Sequence, residues 1–357
     1  MNCKTFNISK TCAETHISLI FNSLEDVSVK FSEAAKALAD DGAKVLTVEL
    51  FAPAGYAAAA ENFKVSMSAE NAPTMHVLPL DEVSAPMLAG AHIIALKGAE
   101  IKFTQSATGS KAAVYSTEDA QFCRIMGVSV PDSGGDADKY TVQTLAELEA
   151  TLQTCGFEFS DIVRTWFFNR DILDWYAGFN SGRTSFFKEH NVFCGLLPAS
   201  TGIGAPNPFS TRIQSGVLAV KGAAKKGYVY EIPSPLQGGA PEYGSSFSRA
   251  VEMNYDTYKR VIISGTASID PLGNTLYYGE IDAQVELTMQ VIEGILVSRG
   301  LSFDDVHRAV VYCMNPKFYE SFVRWSERNG KIPHVPAYNT VCRSDLMFEV
   351  ELDASGA

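Results

Sequence analysis

Glu349 and Glu351 stand two residues apart near the end of the chain, in the run Asp345-Leu346-Met347-Phe348-Glu349-Val350-Glu351-Leu352. The run alternates as a β-strand does, so the two carboxyls fall on one face. Cys342 and Arg343 come just before it. A thiol, a guanidinium and two carboxyls in one short stretch read in two ways. They make a solvated edge strand, where charge discourages aggregation. Or they make a site, in which a carboxyl handles a proton and a guanidinium holds an anion.

Composition bounds what such a site would meet. The 357 residues are enough for two domains, and the 46% hydrophobic content supplies a core. A net charge of −12 disfavours nucleic acid and anionic membrane surfaces as partners. An anionic small molecule is compatible with it only if arginines are concentrated in one pocket. The seven cysteines are odd in number and contain no CxxC pair, and the six histidines show neither HExxH nor His-x-His spacing. The expectation is therefore no disulfide framework, no metal and no cofactor. The opening MNCKTFNISKTCAETHISL lacks a basic region followed by an apolar run, so no signal peptide is expected. No stretch reaches the roughly 18 apolar residues of a spanning helix. These features together predict a cytoplasmic protein with reduced thiols.

The elements that position the terminal strand come next. Residues 31–41 (FSEAAKALADD) read as a helix closed by Gly42, and residues 45–51 and 92–96 as apolar strands. Residues 128–139 form a turn-rich loop, and residues 222–245 are the most linker-like stretch. One internal repeat is visible: CGFEFSDIVRTWFF (155–168) matches RGLSFDDVHRAVVY (299–312). Gly156 pairs with Gly300, Phe159 with Phe303, Asp161 with Asp305 and Arg164 with Arg308, at a constant offset of 144 (300 − 156). Each copy follows a helical segment (141–154; 283–298) and precedes another (171–190; 317–328). The repeated unit is helix, Gly turn, strand, helix, strand. This predicts an α+β protein of two domains, each a mixed sheet with helices on one face.

The second copy resembles the Rid (YjgF-like) family. SSFSRAV (245–251), VIISGTASIDPLGNTLYYGEIDAQVELTM (261–289), SFDDVHRAVVY (302–312), PAYNTV (336–341) and FEVEL (348–352) follow the family's motifs in order. The resemblance implies two tandem Rid/YjgF-like, chorismate-mutase-like domains. Residues 1–222 would be a degenerate first domain with an extra N-terminal segment, and 223–357 the domain carrying the active site. It also implies a homo-oligomer, the trimer being typical of Rid relatives. Family deaminases hold the substrate carboxylate with the arginine of their P-A-R segment; here that position is Tyr338.

A narrower resemblance, from about residue 116 onward, is to the chorismatases. RTWFF (164–168), YAGFNSGRTSFF (176–187), PASTGIGA (198–205), YGSSFSRA (243–250), ISGTAS (263–268) and CRSDLMFEVE (342–351) carry it. It implies cleavage of the enolpyruvyl ether of chorismate, a dianion, to pyruvate and a cyclic acid. Such cleavage needs a proton delivered to the enol carbon, from a carboxylic acid kept neutral near pH 7 by burial. By the resemblance that acid is Glu349. Arg183, Arg249 and Arg164 are the expected carboxylate anchors, with Arg343 a further candidate. Tyr243 and Tyr338 are candidate hydrogen-bond donors. Gly265 and Cys342 match the members that form 3-hydroxybenzoate, the glycine leaving space for a shifted ring and the thiol holding the substrate's 4-hydroxyl. The strand equivalent to 348–352 in the first copy is expected at Ile213–Lys221, which contains no acid. PASTGIGA reads as a tight connection rather than a phosphate loop. The alternatives are a Rid-type enamine or imine deaminase with an altered substrate, and a catalytically silent metabolite-binding protein.

Overall fold

The computed structural model describes residues 1–81, 88–132, 134–221 and 228–356. In chain order its elements are β1 (Asn2–Asn7), β2 (Ala13–Phe21), α1 (Leu24–Asp41), β3 (Lys44–Phe51), α2 (Ala57–Ser66), β4 (Thr74–Val77) and β5 (Ala89–Lys97). Next come β6 (Lys102–Gln105), β7 (Lys111–Ser116), β8 (Gln121–Val128), α3 (Ala137–Thr154), β9 (Ile162–Asn169), α4 (Ile172–Glu189), β10 (Ala199–Gly204) and β11 (Ile213–Lys221). The last are β12 (Val229–Ile232), β13 (Ala250–Tyr255), β14 (Tyr258–Ala267), α5 (Ile281–Ser298), β15 (Val306–Cys313), α6 (Tyr319–Asn329), β16 (Val335–Tyr338) and β17 (Phe348–Gly356). None of these helices is long and apolar enough to cross a membrane.

The strands form three mixed sheets, ordered β1-β2-β5-β3-β4, β10-β9-β11-β8-β7-β6 and β12-β13-β14-β17-β15-β16. Read in one direction, the orders correspond strand for strand, except that the first sheet has five strands and lacks the edge strand that β6 and β12 add to the other two. The chain therefore holds three units of one α+β topology: unit 1 with β1–β5, unit 2 with β6–β11 and unit 3 with β12–β17. The expected division at 222/223 changes in one respect: residues 2–97, assigned above to an extra segment, fold as a unit of their own. The boundary itself, and residues 222–227 of the expected linker, lie outside the described residues. Beyond them that linker carries β12 and a short turn of 3₁₀ helix at Ala240–Tyr243.

The repeat seen in the sequence has a local cause. Gly156 and Gly300 sit at φ 78° and 71°, which lets the chain leave α3 and α5 sharply. Asp161 and Asp305 then accept from the backbone N–H groups of Glu158 (2.9 Å) and Ser302 (2.7 Å), fixing the turn into β9 and β15. Each sheet packs its helices on one face, forming a separate core for each unit. The opposite faces meet in one shared core that includes Phe51, Phe168 and Tyr312. These three residues occupy the same place in the three units, opposite Gly90, Gln214 and Glu349 respectively. Their ring centroids lie 5.9, 6.1 and 6.4 Å apart, which marks a pseudo-threefold axis through the molecule.

One of the two readings of the terminal strand falls, and one expectation is corrected. The terminal strand β17 is not an edge strand: it lies between β14 and β15, and Glu349, Glu351 and Asp353 are all buried. PASTGIGA is not a connection: Ala199–Gly204 is β10, the edge strand that unit 2 lays against unit 3.

Candidate active site

A small pocket of about 50 Å³ opens between units 2 and 3. Unit 2 supplies one wall through β10 and α4. The bridge Ala199–Ser248 and the bonds Ser200 N–H to Ser264 Oγ (2.9 Å) and Gly265 N–H to Thr201 Oγ1 (3.1 Å) dock β10 beside β14. On α4, Tyr176, Phe179 and Arg183 recur at spacings of three and four, so all three face the pocket. Unit 3 supplies Tyr243, Phe247, Arg249, Gly265, Cys342, Arg343 and Glu349.

Glu349 is 5% exposed. Burial, then the charge of Glu351, pushes its carboxyl up to about 8, against the smaller opposing pull of Arg164, Arg249 and Arg343. It therefore holds its proton at neutral pH. Glu351, on the same face, is held in the opposite state. It accepts from Arg164 (2.6 Å), Arg308 (2.7 Å) and Trp166 Nε1 (3.0 Å), and the two guanidiniums lower its pKa despite complete burial. Two carboxyls on one strand thus take opposite protonation states, because one is paired and the other is not.

Gly265 lies against Glu349. A Cβ there would stand 2.0 Å from Glu349 Oε1, so the space that the sequence reading assigned to a ring is filled by the acid itself. Cys342 is a neutral thiol, pushed up to about 12 by burial and then by Glu349.

Three guanidiniums line this pocket. Arg183 is 2% exposed, stacks over the Phe179 ring at 5.0 Å and donates to Asn180 Oδ1 (2.7 Å); among the described residues its Nε has no partner. Arg249 donates through Nε to the Gly238 carbonyl (2.9 Å), covers the Tyr243 ring at 5.3 Å and leaves Nη2 unpartnered among the described residues. Arg343 donates to the Gly273 carbonyl. Among the described residues no carboxylate lies within ion-pair distance of any of the three. Burial lowers the pKa of Arg183 and Arg249, yet guanidiniums remain charged at neutral pH. The pocket therefore carries uncompensated positive charge beside a neutral acid, and its open donors suit a molecule with two carboxylates.

Of the residues singled out from sequence, the fold brings Glu349, Cys342, Arg183, Arg249, Gly265 and Tyr243 together. Arg164 and Tyr338 are corrections. Arg164 points into the interface core, bonded to Ile263 O (3.1 Å), Thr201 Oγ1 (2.7 Å) and Glu351, so it supports the pocket floor from below. Tyr338 lies on edge strand β16, two strands from β17. There its carbonyl accepts from Leu80 N–H (3.1 Å) and its ring packs on the helix-side core. Tyr176, Phe179 and Phe247 were missed. The first two carried a readable signal, since they share the helical face of Arg183.

The other two unit interfaces lack the acid. The register places Gln214 of unit 2 and Gly90 of unit 1 where Glu349 stands in unit 3. Gln214 is fully buried with both polar atoms unpartnered.

No family model matches the chain. It is 26% identical over 244 residues to a chorismatase of Streptomyces hygroscopicus, covering 61% of this chain and 68% of that protein. It is 25% identical over 256 residues to a chorismatase of Streptomyces rapamycinicus, covering 64% and 73%. A crystal structure of a chorismatase superposes with a TM-score of 0.65 at 18% identity, over 87% of this chain and 93% of that one. In sequence the chain is similar to these chorismatases, and in fold to the solved one.

Proposed function

We propose that the protein is an enzyme that cleaves the enolpyruvyl ether of chorismate, with Glu349 as the general acid, releasing pyruvate and 3-hydroxybenzoate. The observation that carries this reading is a buried acid raised to about 8 beside three guanidiniums that have no carboxylate partner among the described residues. The relatives named chorismatases at 26% and 25% identity point the same way.

The chemistry follows from charge. The enol ether is inert until its terminal carbon is protonated; protonation gives an oxocarbenium centre that a nucleophile can trap. Glu349 is protonated at neutral pH and loses its proton to that carbon. The carboxylate left behind is favoured by the charges of Arg164, Arg249 and Arg343. Arg183 and Arg249 stand on opposite walls, the arrangement needed to hold the two substrate carboxylates and fix the ether over Glu349. Cys342 offers a neutral S–H that holds the ring hydroxyl in place of water, which favours the aromatic product. Units 2 and 3 of one chain both line the pocket. The odd cysteine count without CxxC spacing keeps cytoplasm as the expected location.

Incubation with chorismate, assayed for pyruvate by a coupled reaction and for the ring product by chromatography, tests the reading. Equimolar pyruvate and 3-hydroxybenzoate are expected. Absence of pyruvate release overturns it, and pyruvate with a dihydroxy diene acid removes the product assignment alone.

A further inference from the structure

A second cluster of reactive groups lies in unit 2, away from the pocket, and the proposed reaction makes no use of it. Cys155 caps the C-terminus of α3 and lines a groove of about 980 Å³ with Lys102, Thr104, Thr154 and Gln121. The residue is half-buried, and the Thr154 hydroxyl stands 3.8 Å from its sulfur. Beneath it on β8, Cys123 is completely buried and shares the helix–sheet core of unit 2 with Cys155. Cys155 at the end of α3 packs against the core that contains Cys123, and the two sulfurs are in unequal states. Cys155 is lowered to about 6, first by the Cys123 thiol and further by Thr154, Thr104 and Lys102 against the penalty of burial, whereas Cys123 is raised. A helix C-terminus by itself disfavours a thiolate, so these partners decide the matter. The surroundings are those of a nucleophilic thiol, open to a groove, with a second thiol in the core it packs against.

We propose that Cys155 and Cys123 form a peroxide-reactive dithiol site. Hydrogen peroxide enters from the groove and the Cys155 thiolate attacks one oxygen. The S–O bond forms, the O–O bond breaks, and hydroxide leaves and takes a proton from solvent. The Cys123 sulfur then attacks the sulfenic sulfur of Cys155. The S–S bond forms, the S–O bond breaks, and the Cys123 proton leaves with the oxygen as water. Two thiols are oxidised to one disulfide and peroxide is reduced to two waters.

The test treats the full-length protein with a small excess of hydrogen peroxide, alkylates the remaining thiols and maps the peptides by mass spectrometry. A cross-link between Cys123 and Cys155, reversed by dithiothreitol, is expected, with the other five cysteines alkylated. Cys123→Ser should stop at the sulfenic acid, trapped on Cys155 by dimedone, and Cys155→Ser should give neither product. Should Cys123→Ser fold poorly, Cys123→Ala replaces it, and the wild-type map decides by itself. Seven free thiols after peroxide, or disulfides formed instead by the exposed Cys3 and Cys194, overturn the proposal. The readout is on sulfur and does not depend on the reaction with chorismate.

Discussion

Glu349 concentrates the chemistry in one proton, and two consequences follow at the scale of that residue. Glu349→Gln keeps the shape but has no acidic proton, so pyruvate release should fall at least about 10²-fold. The same change should stabilise the fold. The carboxyl has a folded-state pKa of about 8 against an ordinary 4.5, so the folded protein retains a proton that the unfolded chain loses. Wild-type stability therefore declines as pH rises from about 4.5 to about 8. The glutamine variant escapes a cost on the order of 3 kcal/mol at pH 7. Denaturant titration at several pH values measures this; equal stabilities at pH 5 and pH 8 would contradict it. By the same sign, kcat/KM of the wild type should fall as pH rises through about 8. The neighbouring positions set the outcome. Gly265→Ala would press on Glu349 Oε1, and Cys342→Ala removes the thiol. The double variant should divert product from 3-hydroxybenzoate toward the diene diol acid. About 1.4 kcal/mol between the two transition states is a tenfold change in ratio, and chromatography reads it directly. An unchanged ratio would show that neither position governs product choice.

At the scale of elements, β17 and α4 divide the labour. β17 is central in its sheet, so its register with β14 and β15 fixes Glu349 and Glu351 to within the tolerance of a hydrogen-bonded ladder. α4 comes from another unit and presents Arg183 across the pocket. Its approach depends on close packing with α3: a Cβ on Gly182 would stand 2.4 Å from the Asp138 carbonyl. Arg183→Ala should weaken substrate binding by about 2–3 kcal/mol if it bonds a buried carboxylate. The loss should appear mainly in KM, with the fold unchanged by circular dichroism. A variant with wild-type KM would mean that the carboxylate is held elsewhere.

At the scale of the molecule, buried charge explains why three units are joined. Around the pseudo-axis, Arg124, Arg164, Arg260 and Arg308 are matched in number by Glu14, Glu49, Glu351 and Asp353. Unit 1 supplies two of those acids. Glu14 bonds Arg260 (2.6 Å), His16 (2.9 Å) and Tyr115 (2.7 Å), and Glu49 pairs with Arg308. Removing one partner of a buried pair strands the other, so Glu14→Ala should destabilise the protein by roughly 3–5 kcal/mol. Thermal unfolding of the variant measures it. Beyond this balanced centre, and apart from buried charges paired at the surface, Arg183 and Arg249 are the buried cations left without an acid among the described residues. A dianionic ligand supplies what they lack.

The sequence by itself determined the local grammar. The repeat at offset 144, the glycine turns, α3 to α6, and the strand Ile213–Lys221 could all be read because periodicity, capping and turn residues act over a few positions. The acid, both pocket arginines and Cys342 were legible as motifs. Three things were decided only in three dimensions. Residues 2–97 share topology with the other units but no motif, because an apolar alternating pattern is satisfied by many sequences. β17 turned out central, since strand order depends on which partners close the sheet. The opposite protonation of Glu349 and Glu351 rests on Arg164 and Arg308, residues distant in sequence that fold beneath one carboxyl and leave the other unpaired.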